Sequence, residues 1–192
     1  MPDTAALPLH VLLVSDKIGE GDVFGGALDA LRLELDALGV VVGLARTADE
    51  ARAVVGSDPR VCVAVIDVEM GDSGTEAFSL VDFVRSRSDE LSIFLMASRE
   101  RLDAIPTAVV RESEGFVYLL EDTPDWIAGR LRDAALRFRE EVAPPMFAGL
   151  VSFARTHEYS WHTPGHEGGT AFRKSPVGQA FVDFFGEQMV RC

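Results

Sequence analysis

Five short apolar runs, each separated from the next by a stretch of helical periodicity, dominate residues 1–142. Apolar runs of this length without polar alternation are typical of strands that are buried on both faces. Strands that alternate with helices along a chain are joined by right-handed crossovers and therefore run parallel. The pattern predicts an α/β fold with a flavodoxin-like, or receiver-like, doubly wound sheet of five parallel strands. The predicted strands are Leu9 to Val14, Val40 to Leu44, Val61 to Ile66, Leu91 to Ala97 and Gly115 to Leu120.

The stretches between these runs carry helix signals of uneven strength. Gly39 closes the first apolar stripe, and Thr47 with Glu50 three residues later has the spacing of a capping box. Pro106 interrupts the weakest stretch, because proline cannot continue a helix. The predicted helices are Phe24 to Leu38, one that opens at Thr47, one through Ala77, Leu80, Val81 and Val84, a weak one from Arg99 to Ser113, and a long one from Asp125 to Val142.

The composition of the chain changes at the Pro pair that follows Ala143. Residues 1–142 hold 27 acidic and 14 basic residues, whereas residues 143–192 hold four of each and half of the aromatic residues. Proline-rich stretches punctuate domain boundaries, so we expect one domain over 1–142 and a second segment over 143–192. For the second segment we predict a linker helix from Met146 to His157, followed by an incomplete, irregular tail.

Composition also excludes several classes of protein. The net charge of −13 argues against nucleic-acid binding, which requires a basic surface. No apolar run approaches the roughly 20 residues of a membrane-spanning helix, and the N-terminus lacks the basic region of a signal peptide. Two cysteines, Cys62 and Cys192, do not suggest a disulfide framework. We therefore expect a cytoplasmic protein without nucleic-acid or membrane partners.

Acidic residues follow the first and third predicted strands. Asp16 and Asp67 are expected at the carboxyl edge of the sheet, where doubly wound folds bind ligands. The pair is similar to the acidic pocket of the receiver domains of two-component signalling, and Ser98 stands where receivers carry Ser or Thr. A receiver also needs a Lys after the fifth strand, but this chain has Glu121 and Asp122 there. We predict a weak receiver-like acidic pair without a working phosphoacceptor, and solvated strand ends are the simpler alternative.

The densest cluster of unusual residues lies between Tyr159 and Glu187, which contains two His, a Gly pair and two X-Pro turns. Neither an HExxH pattern, a His/Cys zinc spacing nor a GxSxG elbow is present, so we predict no metal ligands and no catalytic nucleophile. The run resembles the opening of the major domain of the bacterial Orn/Lys/Arg decarboxylases. The residues that carry this motif and its expected interface are Thr163, Pro164, Gly165, His166, Gly168, Gly169, Lys174, Ser175, Pro176, Gly178, Phe184 and Phe185.

The resemblance implies a flavodoxin-like wing domain over residues 1–142, which assembles enzyme dimers into larger homo-oligomers. It implies the truncated start of a fold-type-I major domain over residues 143–192. It also implies pyridoxal phosphate, which the intact family binds through a Lys in a Ser-x-His-Lys motif far downstream. This chain has two Lys, Lys17 and Lys174, and neither fits that motif. We therefore expect no cofactor-binding residues and no decarboxylase activity from these residues alone.

Three functions stay open at this point. The chain is predicted to be the N-terminal portion of an ornithine, lysine or arginine decarboxylase that serves assembly or regulation. The alternatives are a free-standing regulatory protein that docks on such an enzyme, and a degenerate receiver-like signalling module. The resemblance also implies a nucleotide effector in some family members. Arg99, Arg101 and Arg111 are candidate ligands for it, with ordinary solvated side chains as the alternative.

Overall fold

The computed structural model describes residues 9–58, 60–71 and 75–138. The chain divides into two units, Met1–Glu140 and Glu141–Cys192, and the described residues all belong to the first. The predicted linker helix and irregular tail lie outside the described residues. The decarboxylase-like motif from Thr163 to Phe185 lies outside them as well, so its expected interface role stays a prediction.

Five parallel strands form one sheet in the order β2-β1-β3-β4-β5. β1 pairs with both β2 and β3, and the later strands add outward in chain order. This order reverses direction once, beside β1, as in flavodoxin-like folds. The predicted fold class is therefore confirmed. The strands are β1 Leu9–Val14, β2 Val40–Ala45, β3 Val61–Asp67, β4 Ser92–Met96 and β5 Gly115–Val117.

Helices cover both faces of this sheet. On one face α1 and α5 bury Leu31, Leu35 and Leu131, and on the other α2, α3 and α4 bury residues such as Leu80 and Val109. Each buried aliphatic side chain contributes about 1.5–3 kcal/mol, so the two apolar layers stabilise the sheet between them. The helices are α1 Val23–Ala37, α2 Ala48–Ser57, α3 Thr75–Arg87, α4 Thr107–Arg111 and α5 Pro124–Arg137, and a 3₁₀ helix spans Arg99–Ala104.

Local contacts confirm the predicted start of α2 and end of α1, whereas the predicted end of the last helix at Val142 lies outside the described residues. Thr47 caps α2, where its Oγ1 accepts from the backbone N–H of Glu50 at 3.2 Å. The Glu50 carboxylate reaches back to the N–H of Arg46 at 2.7 Å, one residue before the position that a capping box uses. Gly39 follows α1 with a φ of 72°, which favours glycine, and Pro106 separates the 3₁₀ helix from α4. Within the described residues, no helix combines the length and apolar content that a membrane span requires.

The predicted length of the fifth strand is wrong. The sequence predicts a strand from Gly115 to Leu120, but β5 ends at Val117. The backbone N–H groups of Glu121 and Asp122 both donate to the carbonyl oxygen of Tyr118, at 3.0 and 2.8 Å, so a turn begins there. Leu120 is consequently 59% exposed. The apolar run continues through a turn, which periodicity alone does not distinguish from a strand.

Candidate functional site

The carboxyl ends of β1 and β3 meet in a buried hydrogen-bonded pair. Ser15, directly after β1, is fully buried, and its Oγ donates to Oδ2 of Asp67, the last residue of β3, at 2.7 Å. The same hydroxyl oxygen accepts from the backbone N–H of Lys17 at 3.2 Å, and Asp67 Oδ1 accepts from the N–H of Glu69 at 2.9 Å. Both carboxylate oxygens of Asp67 are therefore engaged, and the side chain connects the loops after two neighbouring strands.

Burial sets the protonation behaviour of this carboxyl group. Asp67 is 3% exposed, and burial raises its pKa above the ordinary value because the charged form loses hydration. The hydrogen bonds from Glu69 and Ser15 lower the pKa, and the nearby carboxylates of Asp16 and Glu69 raise it. The pKa of Asp67 is therefore raised mainly by desolvation, and repulsion from the nearby carboxylates adds to the shift. A raised pKa is common at functional sites but also accompanies structural carboxylates, so it does not assign a reaction.

Asp16 lies beside this pair without joining it. Its Oδ2 accepts from the backbone N–H of Gly71 at 3.1 Å, and its Oδ1 is buried without a hydrogen-bond partner among the described residues. Gly71 has a φ of 73°, a conformation that favours glycine and that directs its N–H toward the carboxylate. The structure thus places Asp16 and Asp67 at one edge of the sheet, as the sequence predicts. In residues 9–58, 60–71 and 75–138, no group of three or more His, Cys, Asp or Glu side chains has an arrangement that suits a metal ion.

The groups around this edge differ from those that would hold a phosphoryl group. The Glu121 carboxylate, after β5, pairs with the guanidinium of Arg99 at 2.5 Å. Asp122 Oδ2 is buried and has no hydrogen-bond partner among the described residues. Ser98 is exposed at the start of the 3₁₀ helix and its side chain makes no capping bond. A phosphoacceptor needs an accessible carboxylate oxygen beside cationic groups. Asp67 is buried and each of its carboxylate oxygens accepts a hydrogen bond, so it does not offer one.

The three Arg side chains proposed for an anionic effector are placed unequally. Arg99 lies over the ring of Tyr118 at 4.4 Å and also contacts Glu121, and Arg101 pairs with Glu69 at 3.2 Å. Arg111 ends α4 and is exposed. A nucleotide phosphate would have to displace the carboxylate of Glu121 from Arg99 and that of Glu69 from Arg101. Effector binding at these residues stays a prediction.

Lys17 has surroundings unlike those of a lysine that binds pyridoxal phosphate, and the expected absence of cofactor-binding residues stays a prediction. Lys17 is the one described lysine, and its Nζ lies 3.7 Å from the carboxylate of Glu20 on a half-exposed loop. The same loop carries Asp16 and Asp22, whose charges would repel the phosphate of the cofactor. A Schiff-base lysine needs the opposite surroundings, a desolvated pocket that lowers its pKa.

The sequence does not indicate the structural role of one residue, Arg85. Arg85, in the last turn of α3, donates to the carbonyl oxygens of Leu91 and Glu112 at 2.6 Å each, and to that of Asp89 at 3.1 Å. Its guanidinium therefore connects the loop before β4 to the end of α4. The sequence offers only a basic residue near a helix C-terminus, where many such residues are solvated.

Two family models match the chain one after the other. The model described as "Orn/Lys/Arg decarboxylase, N-terminal domain" matches residues 24–138, and the model described as "Orn/Lys/Arg decarboxylase, major domain" matches residues 144–192. The biodegradative arginine decarboxylase of Escherichia coli K12 is 31% identical over 187 residues, covering 95% of this chain and 25% of that protein. The lysine decarboxylase LdcA of Pseudomonas aeruginosa is 33% identical over 192 residues, covering 96% of this chain and 26% of that protein.

Solved structures give the same picture of the fold. Lysine decarboxylase A from Pseudomonas aeruginosa superposes with a TM-score of 0.62 at 33% identity, over 94% of this chain and 25% of that chain. A CheY-like receiver domain from Methanospirillum hungatei superposes with a TM-score of 0.53 at 17% identity, over 70% of this chain and 98% of that chain. The second similarity shows the fold alone. The chain thus spans about a quarter of the length of these decarboxylases.

Proposed function

The chain belongs to the Orn/Lys/Arg decarboxylase family, and from that membership we propose that residues 1–192 are the N-terminal portion of a basic amino acid decarboxylase. In this proposal the domain over 1–142 is a wing domain that serves oligomer assembly or regulation. Residues 143–192 begin the major domain. The portion has no catalytic activity of its own, and the substrate is ornithine, lysine or arginine.

The observation that carries the proposal is the order of the two matches along one chain. An N-terminal domain match over 24–138 is followed within a few residues by a major-domain match over 144–192. A free-standing regulatory protein would have no need for the first residues of a cofactor domain. The free-standing protein is therefore the less economical alternative.

The chemistry of the described residues supports a non-catalytic role. Asp67 is buried with both oxygens hydrogen-bonded, and Lys17 is half-exposed beside Glu20. Neither side chain presents a free nucleophile or a base to a substrate. Pyridoxal phosphate, which acts as an electron sink in decarboxylation, belongs in this proposal to the major domain. The same geometry argues against the receiver-like alternative, because phosphorylation would require Asp67 to leave its two hydrogen bonds.

We also propose that the protein works in the cytoplasm. The chain has two cysteines in 192 residues, and such a shortage of cysteines suits a reducing compartment.

A chimeric enzyme tests the proposal. Residues 1–192 replace the matching first quarter of the Pseudomonas aeruginosa lysine decarboxylase, and the chimera is compared with residues 1–192 alone and with a chimera that lacks residues 1–138. Release of CO₂ from lysine and sedimentation are measured for each. We expect activity and large oligomers from the complete chimera, no activity from residues 1–192, and smaller assemblies without residues 1–138.

Two results would contradict the proposal. Decarboxylation by residues 1–192 alone would show that the catalytic groups lie within them. Unchanged oligomer size and unchanged activity after removal of residues 1–138 would show that the domain serves neither assembly nor regulation.

A further inference from the structure

The outer edge of β2 is long, apolar and uncharged. β2 has β1 as its one neighbour in the sheet, and its six residues, VVVGLA, include no charged residue and no proline. Val41 and Leu44 are 44% and 45% exposed although they lie in a regular strand. Natural proteins usually protect an edge of this kind with charges, proline, a bulge or a covering element, because an open edge pairs with other strands.

The backbone of this edge has hydrogen-bonding groups to offer. The carbonyl of Ala45 faces β1, since it accepts from the N–H of Ser15 at 3.0 Å. Backbone direction alternates along a strand, so Val42 and Leu44, like Val40 at the start of the strand, direct their N–H and C=O groups outward. The next outward N–H, that of Arg46, already donates to Glu50. Among the described residues nothing pairs with the outward groups of Val42 and Leu44, which leaves two donors and two acceptors.

The opposite edge of the sheet is protected. β5 has three residues, and the outward carbonyl of its central residue, Phe116, accepts from Arg130 Nη1 at 2.9 Å. The Arg130 guanidinium is held in place between two rings, 4.7 Å from that of Trp126 and 5.4 Å from that of Phe94. Within the part of the chain that the structure describes, the β2 edge therefore has no such protection, and an extended strand is the partner that its backbone groups suit.

We propose that the occupant is β2 of a second copy of this chain, paired antiparallel so that two five-stranded sheets join into one. A twofold axis at Gly43 sets Val42 of each copy opposite Leu44 of the other, and the N–H and C=O groups of these two residues then all find partners. A C₂ contact needs this self-complementarity, which β2 supplies from its own backbone. The inference rests on the assembly role proposed above and names the surface that would perform it.

The distribution of charge favours a second copy and an antiparallel direction. The domain has an excess of acidic residues, so most of its surface repels another copy, but β2 carries no charge. Arg46 follows the strand directly. Antiparallel pairing sets the two Arg46 residues at opposite ends of the joined strands, whereas parallel pairing would set these like charges side by side.

Lysine substitutions on and off the edge test the proposal in the full 192-residue chain. Leu44→Lys and Val41→Lys place charges on the edge, whereas Leu33→Lys places one on α1, where Leu33 is 59% exposed. Sedimentation equilibrium gives the self-association constant, and circular dichroism verifies folding of each variant. We expect L44K to weaken association by about tenfold or more, because the two introduced charges lie diagonal to one another across the interface. V41K sets its charge opposite Ala45 of the other copy and should have a smaller effect, and L33K should match the wild type.

Two further measurements report on the strand itself. Amide hydrogen exchange should show the N–H groups of Val42 and Leu44 protected at high protein concentration and unprotected in L44K. An equimolar mixture of L44K and L44E chains should regain association, since residues diagonal to one another across antiparallel strands lie within reach of long side chains.

Equal association constants for L44K and L33K would overturn the proposal. Rapid exchange of the Val42 and Leu44 amides at every concentration would overturn it as well. If either result accompanied normal oligomers of the chimera described above, the assembly role would stand and the β2 surface alone would be wrong. Loss of oligomers in the L44K chimera but not in the L33K chimera would support both.

Discussion

Ser15→Ala tests whether the carboxyl edge of the sheet is a structural connection or a reactive site. The substitution removes the donor 2.7 Å from Asp67 Oδ2 and the acceptor of the Lys17 N–H, and it leaves Glu69 as the remaining partner of the carboxylate. The Ser15 side chain is fully buried, so water does not readily replace the lost hydroxyl. The half-buried N–H of Lys17 has better access to water and should add little to the cost.

The magnitude follows from the charge state of Asp67. A hydrogen bond to a charged group contributes about 1.5–3 kcal/mol, and one to a neutral group about 0.5–1.5 kcal/mol. We therefore expect a loss of about 2–3 kcal/mol where Asp67 is ionised. With a urea m-value of about 1–3 kcal/mol/M, that loss lowers the midpoint of unfolding by about 0.7–3 M. The loss should shrink as the pH falls through the raised pKa of Asp67, because the carboxyl group then becomes neutral.

Urea unfolding followed by circular dichroism, at pH 8 and pH 5, measures this effect. Ser86→Ala is the matched control, since Ser86 is exposed on α3 and its hydroxyl donates to a carbonyl of its own helix. The control should change stability by less than about 0.5 kcal/mol. In the double variant with Asp67→Asn, the effects of the two substitutions on stability should depart from additivity by about 1 kcal/mol or more. Equal costs for S15A and S86A, or additive effects in the double variant, would refute the structural role of the pair.

Three further predictions concern the described domain. Arg85→Ala should destabilise it by about 2–4 kcal/mol, because several backbone carbonyls lose a charged donor, whereas Arg87→Ala, which removes an exposed contact with a ring, should cost about 1 kcal/mol or less in the same urea assay. In wild-type protein, the raised pKa of Asp67 favours folding below the unfolded pKa of about 4, and that stability is lost as the pH rises through the folded pKa. Asp67→Asn should remove this slope and be at least as stable as wild type at pH 8; a steeper slope in the variant would contradict the assignment. Gly71→Ala should cost about 1–2 kcal/mol, since a Cβ there meets Glu76 at 3.0 Å at a positive φ, while Gly26→Ala on the open face of α1 should stabilise by about 0.5–1 kcal/mol in thermal melts.

The parts of the fold that depend on local pattern were predictable from the sequence. The five apolar runs specify buried strands, and Thr47 and Gly39 mark helix ends through bonds within a few residues. The strand order follows from chirality and the short crossovers. Leu119 and Leu120 show the limit of this reasoning, because the apolar run continues while the Tyr118 carbonyl already closes a turn.

The sequence predicts which residues lie near the site but not which hydrogen bonds they make. Placing Asp16 and Asp67 at one edge follows from the parallel sheet, but the bond from Ser15 to Asp67 joins residues 52 positions apart. Whether a carboxylate at such an edge is exposed or buried depends on packing that no local pattern encodes. The five hydrogen bonds of the Arg85 guanidinium were equally unpredictable, since the carbonyls that accept them are brought together by two loops.

The order of the strands also bears on synthesis. β1 and β2 are the first strands to be made and are neighbours, β3 pairs with the free side of β1, and β4 and β5 follow outward in chain order, so each new strand has a finished strand to pair with. Ribosomes add about 5–20 residues per second, and small mixed α/β domains fold within about a second or less. The domain can therefore fold soon after α5 leaves the ribosome. In the longer enzyme proposed above, nascent subunits on one polysome would then meet through this domain before translation ends.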